Sequence, residues 1–342
     1  MAMKLTLKLA SLLTLLAVVQ FALLFSPLRP PGWKSTFLEE WGAKHARFSE
    51  PAQNRLIVTG GSNVAFGIDS SWLESVTRRP TINLGLHAGV GLEFMLNEIV
   101  DGARPGDLVI LIPEYEQFYG DLMYGELPLV EILQDNPSGL RYVSSWWQWV
   151  NVFKNAQVAN RNAVFNRLEQ LKTRLRRGAN PDRNPIYERD AFDARGDAVA
   201  HLELPHDPEL FAAAFKPIRG ALNERAFASI ARCAVQLEIK GAKLVIVYPS
   251  VAASYWARHR DAAQGVAARM PTRWTLTKPE DWVFEDRLFY DTHYHLGREG
   301  RQIRTEQLAK ALRAAGVIAS ETFMFGVSSR SGLQGKRAEQ DS

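Results

Sequence analysis

The sequence predicts an α/β fold in which a parallel β-sheet is covered by helices on both faces. Short, largely apolar runs with the length of buried strands alternate with longer segments of helical periodicity. These runs occupy residues 55–58, 81–86, 108–112 and 242–248. Glycine or proline follows three of them and indicates tight turns. The 342 residues are 46% hydrophobic and 23% charged, so the chain is able to bury one large core.

An uncharged apolar segment from Leu9 to Leu28 is the first element in the chain. Its 20 residues would form a helix about 30 Å long, which is the thickness of a bilayer core. Lys4 and Lys8 precede it, and no small-residue cleavage pattern follows it. We therefore predict an uncleaved transmembrane signal anchor at residues 1–29, with the remaining chain on the periplasmic side of the inner membrane. A buried core helix is the alternative interpretation.

Residues 30–327 are predicted to form one α/β domain. Helical periodicity is found at 37–46, 90–100, 222–240 and 298–315. Residues 121–217 break the alternation of strands and helices, so they are predicted to be a largely helical insertion with a long helix at 142–177. The last segment, 328–342, is rich in Ser, Gly, Arg and Gln and is predicted to be disordered.

Charge and cysteine content argue against several functional classes. The net charge of +4 does not indicate a nucleic-acid-binding protein, and none is predicted as a partner. The only cysteine, Cys233, lies in an apolar helical pattern and fits a small core residue, so neither an internal disulfide nor a cysteine metal site is possible. The glycines lack dinucleotide-binding spacing. No cofactor is predicted.

Polar residues and glycines follow the first two predicted strands. The first strand runs into Gly60-Gly61-Ser62-Asn63, and the second contains Asn83 and Gly85. Because the carboxyl ends of parallel strands form the functional edge of such sheets, Ser62 is a candidate nucleophile. A glycine N–H can approach a bound oxygen closely, as an oxyanion hole requires. Either segment taken alone also fits an ordinary loop.

The strongest chemical pattern is Asp291-Thr-His293-Tyr-His295, just before the last helix. A histidine that deprotonates a serine needs a carboxylate to fix its tautomer and stabilise its charged form. Asp-x-His-x-His is also compatible with metal ligation, although no second His/Asp cluster is available in the sequence to complete a coordination sphere. The pattern therefore favours an acid–base unit, and no metal is predicted.

Together these motifs resemble the SGNH (GDSL-like) hydrolase superfamily. The resemblance covers the core at 55–120 and 222–315 and implies a three-layer α/β/α, flavodoxin-like parallel sheet. It implies that Ser62 is the nucleophile and that His295 is the general base. It also implies that Asp291 orients His295 and that the N–H groups of Ser62 and Gly85 form the oxyanion hole.

The resemblance is greatest to the membrane-anchored branch of that superfamily, the DltD-like and alginate-acetylation-like proteins. It implies an extracytoplasmic O-acetyltransferase or acetylesterase that acts on an envelope glycan or exopolysaccharide. In that branch a multispanning membrane acyltransferase commonly supplies the acyl group, so such a partner is expected here.

The sequence departs from the family pattern in two places. His295 lies four residues after Asp291, whereas the family spacing is three, so His293 is kept as the alternative base. The third strand is followed by Pro-Glu-Tyr rather than by an asparagine that donates to the oxyanion. Asn63 or the hydroxyl of Tyr115 is the expected substitute.

Candidate substrate contacts and a second function complete the predictions. The predicted contacts are Asn83, Glu114, Tyr115 and Trp146, the last of which belongs to a tryptophan cluster suited to stacking on sugar rings. The missing asparagine favours an alternative function, a non-catalytic SGNH-like protein that binds polysaccharide or an assembly partner. The presence of serine, aspartate and histidine favours the enzyme.

Overall fold

A computed structural model of the chain describes residues 2–24, 37–175 and 184–319. Parts of the predicted anchor, linker and long helix, and all of the predicted disordered tail, lie outside these ranges. The α-helices are α1 (Ala2–Leu24), α2 (Glu40–Ser49), α3 (Ser62–Gly67), α4 (Ser70–Thr77), α5 (Leu92–Gly102), α6 (Leu127–Asp135), α7 (Trp146–Leu175), α8 (Pro208–Ala213), α9 (Glu224–Ile239), α10 (Ala253–Ala267) and α11 (Arg298–Ala314). The strands are β1 (Leu56–Gly60), β2 (Thr81–Asn83), β3 (Leu108–Ile112), β4 (Lys243–Ile246), β5 (Val251–Ala252) and β6 (Val283–Phe284).

The four predicted strands form one parallel sheet in the order β2-β1-β3-β4. The prediction of an α/β fold with a parallel sheet is therefore confirmed. β2 is shorter than predicted and ends at Asn83, although the N–H of Leu84 still donates to the Val58 carbonyl at 2.8 Å. A separate parallel pair, β5 and β6, was not predicted.

The strand order places the helices on the two faces of the sheet. The chain moves from β1 to β2 in one direction and from β2 back past β1 to β3 in the other. Since parallel crossovers are right-handed, α3 and α4 lie on the face opposite α5. α5 packs against α9, and α11 packs against α3 and α4. This arrangement is compatible with three layers.

A buried ion pair joins the beginnings of β1 and β3. The Arg55 Nη2 lies 2.6 Å from Asp107 Oδ2, and neither side chain is exposed. Asp107 Oδ1 also accepts the backbone N–H of Arg55 at 3.0 Å. The carbonyl of Arg55 in turn accepts the N–H of Leu108. These bonds fix the register of the two central strands at their first residues.

The segment between β3 and α9 packs beside the carboxyl edge of the sheet. Side chains of α6 and α7, such as Leu129 and Val152, share a hydrophobic cluster with Phe66 of α3 and Phe94 of α5. The predicted insertion therefore contributes to the core around this edge.

α1 (Ala2–Leu24) covers most of the predicted transmembrane anchor at residues 1–29. Within the part of the chain that the structure describes, no helix combines the length and the apolar composition needed to cross a bilayer. Residues 25–28 of the predicted span lie outside that part.

We predict that Asp107→Ala lowers the free energy of unfolding by about 3–5 kcal/mol, because it leaves the Arg55 charge buried and unpaired. Urea unfolding measures this loss. The matched control is Asp101→Ala, since Asp101 forms an exposed ion pair with Arg141 at 3.4 Å and should lose less than about 1 kcal/mol. Equal losses in both variants would contradict the structural role given to the buried pair.

Candidate active site

Ser62 and Glu114 lie side by side because β1 and β3 end at the same level of the sheet. Gly60, the last residue of β1, pairs with Ile112, the last residue of β3. The Oε1 of Glu114 accepts a hydrogen bond from Ser62 Oγ at 3.2 Å and from the N–H of Asn63 at 3.0 Å. Glu114 is only 5% exposed, so its carboxyl group is enclosed by the protein next to the candidate nucleophile.

Two glycines make this close approach possible. A Cβ on Gly61 would lie 2.3 Å from Glu114 Oε1, and a Cβ on Gly60 would lie 2.2 Å from the Ile112 carbonyl oxygen. Such contacts are far below van der Waals separation, so both positions exclude a side chain while their surroundings stay in place. The Gly-Gly pair therefore serves tight packing between the two strand ends.

Asp291 and His295 form a buried hydrogen-bonded pair. Their Oδ1 and Nδ1 atoms are 2.9 Å apart, and both residues are buried. When Nδ1 carries the proton that Asp291 accepts, Nε2 has a free lone pair and is able to take a proton from a nucleophile. This is the arrangement that the sequence predicts for a general base and its orienting carboxylate.

The ring of His295 lies on the helix that begins with Ser62. It stacks on Phe66 with 3.9 Å between ring centroids and 7° between planes. Ser62 and Phe66 are four residues apart on α3, so they occupy the same face of that helix. The fold therefore brings His295 to the Ser62 face. Within the described ranges, the Ser62 hydroxyl is hydrogen-bonded to Glu114 and not to His295.

A tyrosine from the insertion completes the Asp291 environment. The Tyr187 hydroxyl donates to Asp291 Oδ2 and lies 3.2 Å from His295 Nδ1. Burial alone would raise the pKa of Asp291, but the hydrogen bonds and charge of His295, together with the Tyr187 hydroxyl, hold that pKa below its ordinary value. Asp291 is thereby kept ionised beside His295.

His293, the alternative base, has a different environment. Its ring stacks on Tyr255 at 4.3 Å, and its Nε2 lies 4.0 Å from a Glu116 oxygen. Its Nδ1 is buried without a hydrogen-bond partner. Desolvation and the charges of His295 and His259 lower the pKa of His293 to about 3. The geometry therefore favours His295 as the base.

His293 and His295 do not face a common metal-binding position, because His293 stacks on Tyr255 and His295 stacks on Phe66. Among the described residues, no three His, Cys, Asp or Glu side chains are grouped so as to hold a metal ion.

The structure does not fit the oxyanion role predicted for Gly85. Its N–H donates to Asn83 Oδ1 at 2.8 Å. A Cβ at Gly85 would lie 2.5 Å from the Val64 Cβ, so this glycine lets α3 pack against the residues after β2. Asn83 is fully buried and also donates to Val64 and Asp197. Asn83 thus stabilises the fold, and the predicted substrate contact does not fit.

Asn63 and Tyr115, the predicted substitutes for the missing asparagine, are both buried in the protein interior. The amide of Asn63 donates to the Ile112 carbonyl at 3.2 Å, and its backbone N–H is bonded to Glu114. Tyr115 is fully buried and stacks on Tyr248. Both side chains are therefore part of the packed interior.

Trp146 does not join the cluster around Ser62. It is 74% exposed at the start of α7. In the described part of the chain, no hydrogen bond or ring contact connects Trp146 to Ser62, Asp291 or His295. Its neighbour Trp147 stacks on Tyr124, with Arg225 above the ring. The predicted sugar contact at Trp146 thus remains a prediction with no link to the candidate site.

Ala88 is a site residue that sequence reasoning missed. Its backbone nitrogen lies 3.1 Å from the position that a Cβ on Gly61 would take. Its N–H donates to no group among the described residues. The Ala88 nitrogen is thus close to the contact between Gly61 and Glu114, and its N–H is a candidate donor for an oxygen bound there. The sequence pattern does not indicate this residue, because the group concerned is a backbone N–H and the alanine side chain is neither polar nor reactive.

No protein-family model matches the chain, and no curated protein matches it either.

We predict that Tyr187→Phe lowers the free energy of unfolding by about 1.5–3 kcal/mol at pH 7, because a hydrogen bond to an ionised carboxylate is lost. The folded pKa of Asp291 is depressed, so its contribution is present above the ordinary aspartate pKa of 3.8 and disappears as pH falls through the folded value. Without the tyrosine hydroxyl that pKa rises. The difference between the variants should therefore shrink below pH 4 in urea unfolding.

An Asp291→Asn background provides the control. There the same tyrosine substitution should lose only about 1 kcal/mol, the value for a neutral hydrogen bond. An undiminished loss in that background would show that the hydroxyl acts elsewhere.

Proposed function

We propose that the protein is a serine acyl-ester enzyme with Ser62 as nucleophile, His295 as general base and Asp291 as the orienting carboxylate. One observation carries the proposal. Asp291 fixes the Nδ1 of His295, while the His295 ring stacks on Phe66, one helical turn from Ser62. A purely structural histidine does not require a buried carboxylate on one nitrogen and a serine-bearing helix beneath its ring.

The reaction would proceed in two acyl transfers. Ser62 Oγ bonds to the ester carbonyl carbon while its proton passes to Nε2 of His295, and the carbonyl electrons move onto oxygen. The tetrahedral intermediate then collapses, and the leaving alkoxide takes the proton from His295. A sugar hydroxyl or a water molecule attacks the acyl-serine in the same way and restores Ser62. The Ser62 hydroxyl has to turn from Glu114 towards His295 before the first transfer.

The strand order supports an SGNH-like fold. The order β2-β1-β3-β4 equals the first four positions of a flavodoxin-like sheet. The serine follows β1 and the Asp/His pair precedes the last helix, as in that superfamily.

For the substrate we propose O-acetyl groups on an envelope glycan or exopolysaccharide, with transfer to a sugar hydroxyl favoured over hydrolysis. The domain would then act on the extracytoplasmic side of the inner membrane, beside a multispanning acyltransferase that supplies the acyl group. These parts of the proposal rest on the sequence resemblance and on the apolar segment 9–28.

A non-catalytic binding or assembly protein is the second candidate. One observation favours it: the hydroxyl of Ser62 and the N–H of Asn63 are both occupied by Glu114. In such a protein, these bonds would only stabilise the junction of β1 and α3.

Labelling with a fluorophosphonate and turnover of p-nitrophenyl acetate distinguish the two candidates. The wild-type protein should label and turn over. Ser62→Ala should lose labelling, and His295→Ala should lower turnover by at least about 10³-fold, because the base is gone. His293→Ala should keep most of the activity.

Ser71→Ala is the matched control, because Ser71 is an exposed serine on α4 and should behave as wild type. Absence of labelling in the wild type, or a Ser62→Ala variant that still labels, would exclude the serine enzyme in favour of the second candidate.

A further inference from the structure

We propose that Glu114 is a catalytic residue that works as a neutral carboxylic acid and donates a hydrogen bond to the oxyanion formed when Ser62 attacks an ester. This inference rests on the proposed function and deepens it. It assigns a donor at the point where the sequence lacks the asparagine of the related superfamily.

The contact with Ser62 places Glu114 next to the reacting atoms. Glu114 Oε1 is 3.2 Å from Ser62 Oγ, the atom that would bond to the ester carbon. The oxyanion would be bonded to the same carbon as Oγ, so it would form close to the Glu114 carboxyl. The free N–H of Ala88 lies on the same side of Gly61. Ala88 and Glu114 together would supply two donors.

The protonation state decides whether Glu114 helps or hinders. An ionised carboxylate is an acceptor only, and it would repel a negative oxygen. It would also keep its hydrogen bonds from the Ser62 hydroxyl and the Asn63 N–H, so the hydroxyl would stay turned towards Glu114. A neutral carboxyl group has one O–H to donate and holds those partners less strongly.

The surroundings of Glu114 favour the neutral form. The residue is buried, and its carboxyl accepts hydrogen bonds from the uncharged groups of Ser62 and Asn63. Glu116 adds a negative charge nearby. Burial, followed by the charge of Glu116, raises the pKa of Glu114 to about 7. At that value both forms are populated near neutral pH.

Other ionisable groups face Glu114 from the neighbouring elements. Arg304 of α11 donates to the Asn63 carbonyl at 3.1 Å, and its charge acts on Glu114. Tyr294, whose hydroxyl donates to Glu116, also senses the charge of Glu114. His295 stacks on Phe66 of the same helix α3 that carries Ser62. A positive charge on Arg304 favours the ionised form, so the burial of Glu114 and the charge of Glu116 must outweigh it for the acid to stay neutral.

Gln117 holds the two proposed donors in place. Its Oε1 accepts the backbone N–H of Glu114 at 3.1 Å, and its Nε2 donates to the Ala88 carbonyl at 3.2 Å. Gln117 is fully buried. It is a positioning residue that ties the Glu114 backbone to the loop that presents the Ala88 N–H.

The test compares kcat/KM for p-nitrophenyl acetate between pH 5 and 9 in the wild type, Glu114→Gln and Glu114→Ala. Glutamine matches the neutral acid in shape and donates without titrating. We expect Glu114→Gln to stay within about tenfold of wild type at pH 6, and Glu114→Ala to fall by about 10²–10³-fold, as for a lost oxyanion donor. Above the pKa of about 7 the wild type should lose activity with rising pH, and Glu114→Gln should not.

The Glu116→Gln variant tests whether the loss of activity at high pH, the alkaline limb of the profile, comes from Glu114. Removing the neighbouring negative charge should move the limb to lower pH, because it lowers the pKa of Glu114. An unchanged limb would overturn the assignment to Glu114.

Three further outcomes would overturn the inference. They are a Glu114→Gln variant as impaired as Glu114→Ala, a Glu114→Ala variant as active as the wild type or more active, and an alkaline limb that persists in Glu114→Gln. Fluorophosphonate labelling of wild type and Ser62→Ala separates these results from a failure of the proposed function. If the wild type is labelled at Ser62 but the Glu114 variants do not behave as expected, the serine enzyme is supported and the donor role of Glu114 is excluded.

Discussion

The carboxyl ends of β1 and β3 stop at one level because Gly60 pairs with Ile112, and the rest of the site depends on this register. It is fixed at the other end of the strands by the buried pair of Arg55 and Asp107. A shift of one residue would move Ser62 away from Glu114 and reverse the facing of every side chain in β1. The buried ion pair at the amino ends of β1 and β3 thus helps to set the geometry at their carboxyl ends.

A second polar network ties the insertion to the core. Asp197 accepts from Ser70 of α4, from Asn83 at the end of β2 and from Arg301 of α11. Lys44 of α2 donates to the carbonyls of Asn83 and of Gly196. Because these groups are buried, each needs its partner, and the loop before His201 is held firmly against the sheet. This network positions the segment that delivers Tyr187 to Asp291.

The sequence was sufficient to predict the four strands and the pairing of Asp291 with a histidine, because strand length, glycine turns and local spacing are properties of neighbouring residues. The sequence did not predict the roles of Gly85 and Asn83. The Gly85 N–H, expected to bind an oxyanion, is already hydrogen-bonded to the Asn83 side chain two residues before it. Tyr187 contacts Asp291 across 104 residues. Nothing local to Tyr187 indicates that contact, which exists only once the insertion has packed.

Gly61 and Glu114 share one small space. A methyl group at position 61 would fall 2.3 Å from Oε1, the far end of the glutamate side chain. A side chain at position 61 would therefore push that carboxyl away from Ser62. The hydrogen at position 61 thus keeps the serine and the carboxyl in contact, and Gly61→Ala would separate the two groups without removing either of them.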